Sequence, residues 1–106
     1  MWKVNKGTLT GASDPAYANA LDWKVEELRE KTIILKNTHG TASLKYKLLA
    51  YAVPEGIAAE EVEETILSAG AVAKLQLVKQ WARLVLQVAD GSGTASYQVD
   101  FIGQGA

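Results

Sequence analysis

Residues 82 to 101 carry a two-residue rhythm that leaves few folds open. Ala82, Leu84, Leu86 and Val88 alternate with Arg83, Val85 and Gln87. After Asp90-Gly91-Ser92-Gly93 the rhythm resumes, with Ala95, Tyr97, Val99 and Phe101 alternating with Ser96, Gln98 and Asp100. In an extended strand successive side chains point to opposite faces, so this pattern makes one apolar and one polar face. Three more stretches share it. Leu44, Tyr46 and Leu48 oppose Ser43, Lys45 and Lys47; Leu21, Trp23 and Val25 oppose Asp22 and Lys24; Ala73, Leu75 and Leu77 oppose Lys74 and Gln76. Thr32 to Lys36 is β-branched and apolar, as strands prefer. Six to eight short strands separated by turn signals predict an all-β fold, an antiparallel β-sandwich or small barrel. The strand–helix–strand alternation of a parallel sheet does not occur.

Two regions fit the rhythm less well. Trp2 and Val4 fall on one side of a short first strand, but Gly7 to Ala20 is rich in Gly, Ala, Ser and Thr, with Asp14-Pro15 as a turn signal. Residues 1–20 therefore read as a flexible N-terminal arm or long loop, and 21–106 as the β-sandwich domain. Residues 57–69 admit two readings. Val62 and Ile66 are four apart, with Ala58 and Ala69 on the same face and Gly70 beyond, which fits a short amphipathic helix. Glu60 and Glu64 would then be like charges at helical spacing, a small penalty, and a short strand across Glu63 to Leu67 fits equally well.

The tetrapeptide Gly-Thr-Ala-Ser occurs twice, at Gly40 to Ser43 and at Gly93 to Ser96. A phosphate loop needs glycines at fixed spacing leading into a helix, whose first amides face the anion. Both copies lead into strands. A catalytic serine needs a base held by a carboxylate, and the single histidine, His39, lies in the first turn with no local acid. Both copies read as turns, the first joining Thr32–Asn37 to Ala42–Val53 in a hairpin, the second joining Ala82–Ala89 to Ala95–Ile102.

Charge and composition narrow the function classes. A net charge of -1 supplies no basic footprint, so no nucleic acid or anionic membrane partner is expected. There is no cysteine, which removes disulfides, thiol nucleophiles and thiolate metal sites. Glu55, Glu60, Glu61, Glu63 and Glu64 lack the alternating Asp and Asn of a calcium loop and read as a solvated acidic face. No catalytic residue, cofactor or metal is expected, and an enzyme is the least favoured class. The opening Met-Trp-Lys-Val-Asn-Lys-Gly has no apolar signal core, so synthesis in the cytoplasm is the expectation.

The aromatics suggest where a partner binds. Trp23, Tyr46, Tyr97 and Phe101 fall on apolar strand faces and belong to the core. Trp81 alternates with Arg83 on the face opposite Leu84, while Trp2, Tyr17 and Tyr51 fall outside the core pattern. With Val85 and Trp81 sharing the supposed outer face, this strand reads as buried on both sides, covered by the arm or by a neighbouring subunit. Trp2, Tyr17, Tyr51, Trp81 and Arg83 are thus the candidate interface. A carbohydrate- or surface-binding module is the alternative, with tyrosine or tryptophan stacked on sugar rings.

Taken in order, the strand ending Lys36-Asn37-Thr38, the Gly-Thr-Ala-Ser turn, "LKYKLLAY", "ETILSAGA" and "WARLVLQVADGSGTASYQVDFIG" resemble small β-sandwich virion proteins of tailed bacteriophages. These are head-decoration and accessory structural proteins, and the likeness spans Trp23 to Gly103. It implies a structural, non-enzymatic protein of the virion. Such a protein binds a capsid or other virion protein, often as a homo-oligomer, and reinforces the shell by burying strand faces against neighbours.

Overall fold

Every segment with a two-residue rhythm is a strand in the computed structural model, which describes residues 3–105. The strands are β1 (Lys3–Ala12), β2 (Ala18–Lys24), β3 (Glu30–Asn37), β4 (Leu44–Tyr51), β5 (Ala58–Leu67), β6 (Val72–Leu77), β7 (Arg83–Asp90) and β8 (Ser96–Gly105). They form two four-stranded sheets: sheet I in the order β1-β8-β3-β6 and sheet II in the order β2-β7-β4-β5. All pairs are antiparallel. The fold is a β-sandwich, not a barrel, and no helix occurs among the described residues.

Only the β4–β5 connection stays within one sheet. Every other connection crosses from one sheet to the other, which is the wrapping of a jelly roll. Both expected hairpins are therefore corrected. β3 pairs with β6 and β8 while β4 pairs with β5 and β7; β7 and β8 lie in different sheets. Alternation fixes which way a side chain points, not which strand lies alongside. Each Gly-Thr-Ala-Ser is a corner between sheets.

The core lies between the sheets, which in such sandwiches stand about 10 Å apart. Ile33, Leu35, Leu44, Leu48, Leu84, Leu86 and Val99 are fully buried there. Burying one such side chain contributes roughly 1.5–3 kcal/mol. Trp23 packs against Phe101 with ring centroids 5.0 Å apart, and its indole N–H donates to Asn5 Oδ1 at 3.0 Å. Lys31 is also inward and only 1% exposed. Its ammonium donates to the carbonyls of Leu28 (3.1 Å), Arg29 (3.3 Å) and Lys79 (2.8 Å), tying the β2–β3 connection to the β6–β7 connection. Burial pushes its pKa below the ordinary lysine value.

The expected arm is a second correction. Lys3–Ala12 pairs with β8 over ten unbroken residue pairs, and β2 begins at Ala18. The glycines that suggested a loop sit under aromatic rings. A Cβ on Gly7 would lie 2.7 Å from the Phe101 ring, and one on Gly11 would lie 2.6 Å from the Tyr97 hydroxyl oxygen. Here glycine makes room for a neighbouring ring in an edge strand, a packing role that local composition cannot reveal. The arm is part of the sandwich.

The helical reading of 57–69 gives way to β5. Register shifts against β4, between Tyr46 and Leu48 and again between Leu48 and Leu49, break the simple alternation. Val62 is set opposite Leu48 and is partly buried against the core, whereas Ile66 is opposite Lys45 and exposed. The irregularity between them therefore puts two residues four apart on opposite faces of the strand, which neither a regular helix nor a regular strand would do. With four glutamates, β5 is also a charged sheet edge, which discourages unwanted strand pairing.

Candidate protein-interaction surfaces

The two Gly-Thr-Ala-Ser corners meet at one end of the sandwich. Ser43 Oγ accepts from the Ser92 amide at 2.9 Å, Ser92 Oγ accepts from the Ser43 amide at 2.8 Å, and Thr38 Oγ1 donates to Ser96 Oγ at 2.9 Å. Beside them the Asn37 side chain is buried and donates to the carbonyls of Ala42 and Leu67. His39 Nδ1 accepts the amides of Thr41 (3.1 Å) and Ala42 (2.9 Å), so its lone pair caps the corner. That nitrogen is committed to the backbone. Among the described residues no three His, Cys, Asp or Glu side chains converge to hold a metal ion.

Three of the candidate interface residues share the outer face of sheet II. Arg83 makes a two-pronged pair with Asp22, Nε to Oδ1 at 2.7 Å and Nη2 to Oδ2 at 2.6 Å. Its guanidinium also lies 4.9 Å from the Tyr51 ring centre and donates to the Pro54 carbonyl. The Arg83 hydrogen bonds hold the Asp22 carboxyl below its usual pKa and raise that of Arg83. Further along, Lys47 Nζ stands 4.4 Å from the Tyr17 ring centre, and the Tyr17 hydroxyl donates to Glu64. Burial first, and then Glu64, push the Tyr17 phenol well above its ordinary value, while its hydrogen bond lowers Glu64. Lys45 pairs with Glu64 at 3.7 Å and Lys47 with Glu60 at 4.0 Å. Arg83, Asp22, Lys45, Lys47, Glu60 and Glu64 are thus matched within the chain, while Lys24 on the edge strand β2 has no ion pair among the described residues.

The other candidates fall elsewhere. Trp81 packs against the core from the β6–β7 connection, with its buried indole nitrogen making no hydrogen bond. Trp2 lies outside the described residues. Val85 is 1% exposed although it faces outward, between Asp22 on β2 and Leu49 on β4.

The outer face of sheet I is different. Its outward residues form rows across the strands. Lys6, Ile102, Thr32 and Gln76 make one row, and Thr8, Asp100, Ile34 and Lys74 the next. Val4 is 53% exposed, Ile102 46% and Ile34 36%. Ile34 and Ile102 are diagonal neighbours, and with Lys6, Thr8, Thr32 and Asp100 they line a shallow groove of about 410 Å³ floored by Gly7 and Phe101. Asp100 accepts from Gln98 and Glu30 from Gln104. Among the described residues none of Lys6, Lys36, Lys74, Glu30 and Asp100 has an ion-pair partner. The sequence carried a signal for this surface: Ile34 between Ile33 and Leu35, and Ile102 after Phe101, place apolar side chains where alternation calls for polar ones.

No protein-family model matches the chain, and no curated protein matches it in sequence. Solved structures do share its fold. PirA is 10% identical with a TM-score of 0.68, over 89% of this chain and 92% of that one. A Bacillus endospore appendage protein, of a family of disulfide-linked pili, is 12% identical with a TM-score of 0.64, over 99% and 89%. The SPBc2 prophage-derived protein YomS is 10% identical with a TM-score of 0.57, over 96% and 95%. A Triatoma virus empty-capsid chain is 13% identical with a TM-score of 0.60, over 95% and 86%. At such identities the likeness concerns the fold, which many functions share. The chain is a jelly-roll β-sandwich resembling viral capsid, prophage and pilus subunits.

Proposed function

We propose that this chain is a non-enzymatic structural protein of a phage virion, which binds and reinforces the capsid through protein–protein contacts. The observation that carries the reading is the outer face of sheet I, where Val4, Ile34 and Ile102 are exposed beside ions that have no ion-pair partner among the described residues. An isolated sandwich alternates apolar-in with polar-out, so an apolar strip on the outside is a surface to be covered. The likeness to capsid, prophage and pilus subunits supports an assembling protein over a free-standing one. The commitment of His39 to its corner supports the non-enzymatic part. A sugar platform gains little, because Tyr17 and Tyr51 already have Lys47 and Arg83 over their rings.

Co-sedimentation with empty capsids of the encoding phage tests the reading. The chain is expected to pellet with capsids, and the Ile34→Glu variant is expected to stay in the supernatant. Failure of the unaltered chain to pellet, together with tryptophan quenching by polysaccharide, would replace this reading with the sugar-binding one.

A further inference from the structure

We infer that the occupant of the outer face of sheet I is a second copy of this chain, docked face to face about a two-fold axis. The inference rests on the reading of that face as an assembly surface and adds the identity of its partner. A two-fold contact must be self-complementary, because each copy presents the same patch to the other. This patch carries its own complement. Lys6 and Asp100 lie one strand and one row apart, on adjacent corners of the groove, and neither has an oppositely charged partner within the chain among the described residues.

The register fixes an axis that satisfies both charges. With strands about 4.8 Å apart and rows about 6.8 Å apart, the line midway between Lys6 and Asp100 runs diagonally past Thr8, Ile102 and Thr32. Rotation about that line sets Lys6 over Asp100 of the partner subunit, and Asp100 over Lys6 of the partner subunit. It sets Ile102 against its own counterpart and brings Ile34 over Val4 of the partner subunit. Val4, Ile34 and Ile102 are then covered by one another and the two ions are paired, while Val72, also exposed on this face, stays outside the contact. Four strands of up to ten residues offer about 600 Å² per copy, of which about three quarters overlaps, so the pair buries about 900 Å², the range of a weak, transient interface. The contact is therefore reversible and concentration-dependent.

The test is a charge exchange read by light scattering after size exclusion, on the full chain from micromolar to millimolar concentration. Lys6→Asp and Asp100→Lys are each expected to weaken the dimer about tenfold or more, because each sets like charges opposite one another. An equimolar mixture of the two variants is expected to recover a dimer, since every contact in the mixed pair is again of opposite sign. Both positions are on the surface, and circular dichroism with thermal melting confirms that the variants are folded. A dimer that neither single change weakens, or a mixture that stays monomeric, overturns the inference. A strict monomer whose capsid co-sedimentation is abolished by Ile34→Glu also overturns it, since the face is then used for a foreign partner and the assembly reading stands. A strict monomer whose Ile34→Glu variant still pellets removes both.

Discussion

On the outer face of sheet II the ions close on one another; on the outer face of sheet I they do not. Both faces mix lysine, carboxylate and aliphatic residues, so composition does not separate them. The difference lies in placement. Arg83 stands beside Asp22, and Lys45 and Lys47 beside Glu64 and Glu60, with two tyrosine rings beneath the cations. Lys6 and Asp100 instead lie side by side along one flank of the aliphatic strip, with no ion pair to either among the described residues. The lesson is that a residue type marks a binding surface only when its own fold leaves it unmatched. Tyr17, Tyr51 and Arg83 have the composition of an interface and are already engaged on sheet II, Arg83 with Tyr51 and Asp22, Tyr17 with Lys47 and Glu64. Ile34 and Ile102, less conspicuous in the sequence, are the ones left open.

The largest expected contrast comes from placing one carboxylate on each face. Val85→Glu buries a charge without a partner and is expected to cost about 3–5 kcal/mol in urea unfolding. Ile34→Glu, at an equivalent outward position on sheet I, is expected to change the stability of the monomer by no more than about 0.5 kcal/mol. Equal losses would erase the distinction between the faces. Next in size is β1, whose two sides are expected to differ. Gly7→Val drives a side chain into the Phe101 ring and is expected to cost about 1–3 kcal/mol, whereas Thr8→Val on the open side is close to neutral.

Smaller effects follow from protonation. Folding lowers the carboxyls of Asp22 and Glu64, so the unfolded chain takes up their protons first as pH falls. Their stabilisation is present above the ordinary carboxylate values and is lost as pH drops through and below them. Asp22→Asn is expected to flatten the acid limb of the urea midpoint against pH. The smallest signal is spectroscopic. Tyr17 and Tyr97 are raised above their ordinary values, so part of the phenolate absorbance appears late in an alkaline titration. Tyr17→Phe is expected to remove the latest part; an unchanged curve would show that its hydroxyl is not held by Glu64.

The legible parts of this chain and the illegible ones differ in a consistent way. Leu44, Tyr46, Leu48, Leu84, Leu86 and Val99 announced their inward direction by alternation, and all are buried. Lys31 did not. It belongs to a charged stretch in the sequence, and its burial is made tolerable by the nearby carbonyls of Leu28 and Arg29 together with that of distant Lys79. Gly7 and Gly11 suggested a loop because their purpose lies in rings some ninety residues away. The interface candidates were chosen by residue type, and ion pairing, which decides whether a type is free to bind, was out of reach.

The duplicated Gly-Thr-Ala-Ser shows where that line falls. The sequence determined that both copies are turns, because glycine and short polar residues interrupt the alternation and start it again. Whether each turn folds a strand back beside its predecessor or carries it to the other sheet was decided by tertiary structure. Local periodicity encodes the direction of a side chain. The neighbour of a strand is set by the burial of all the apolar faces at once, and here that burial is satisfied by crossing.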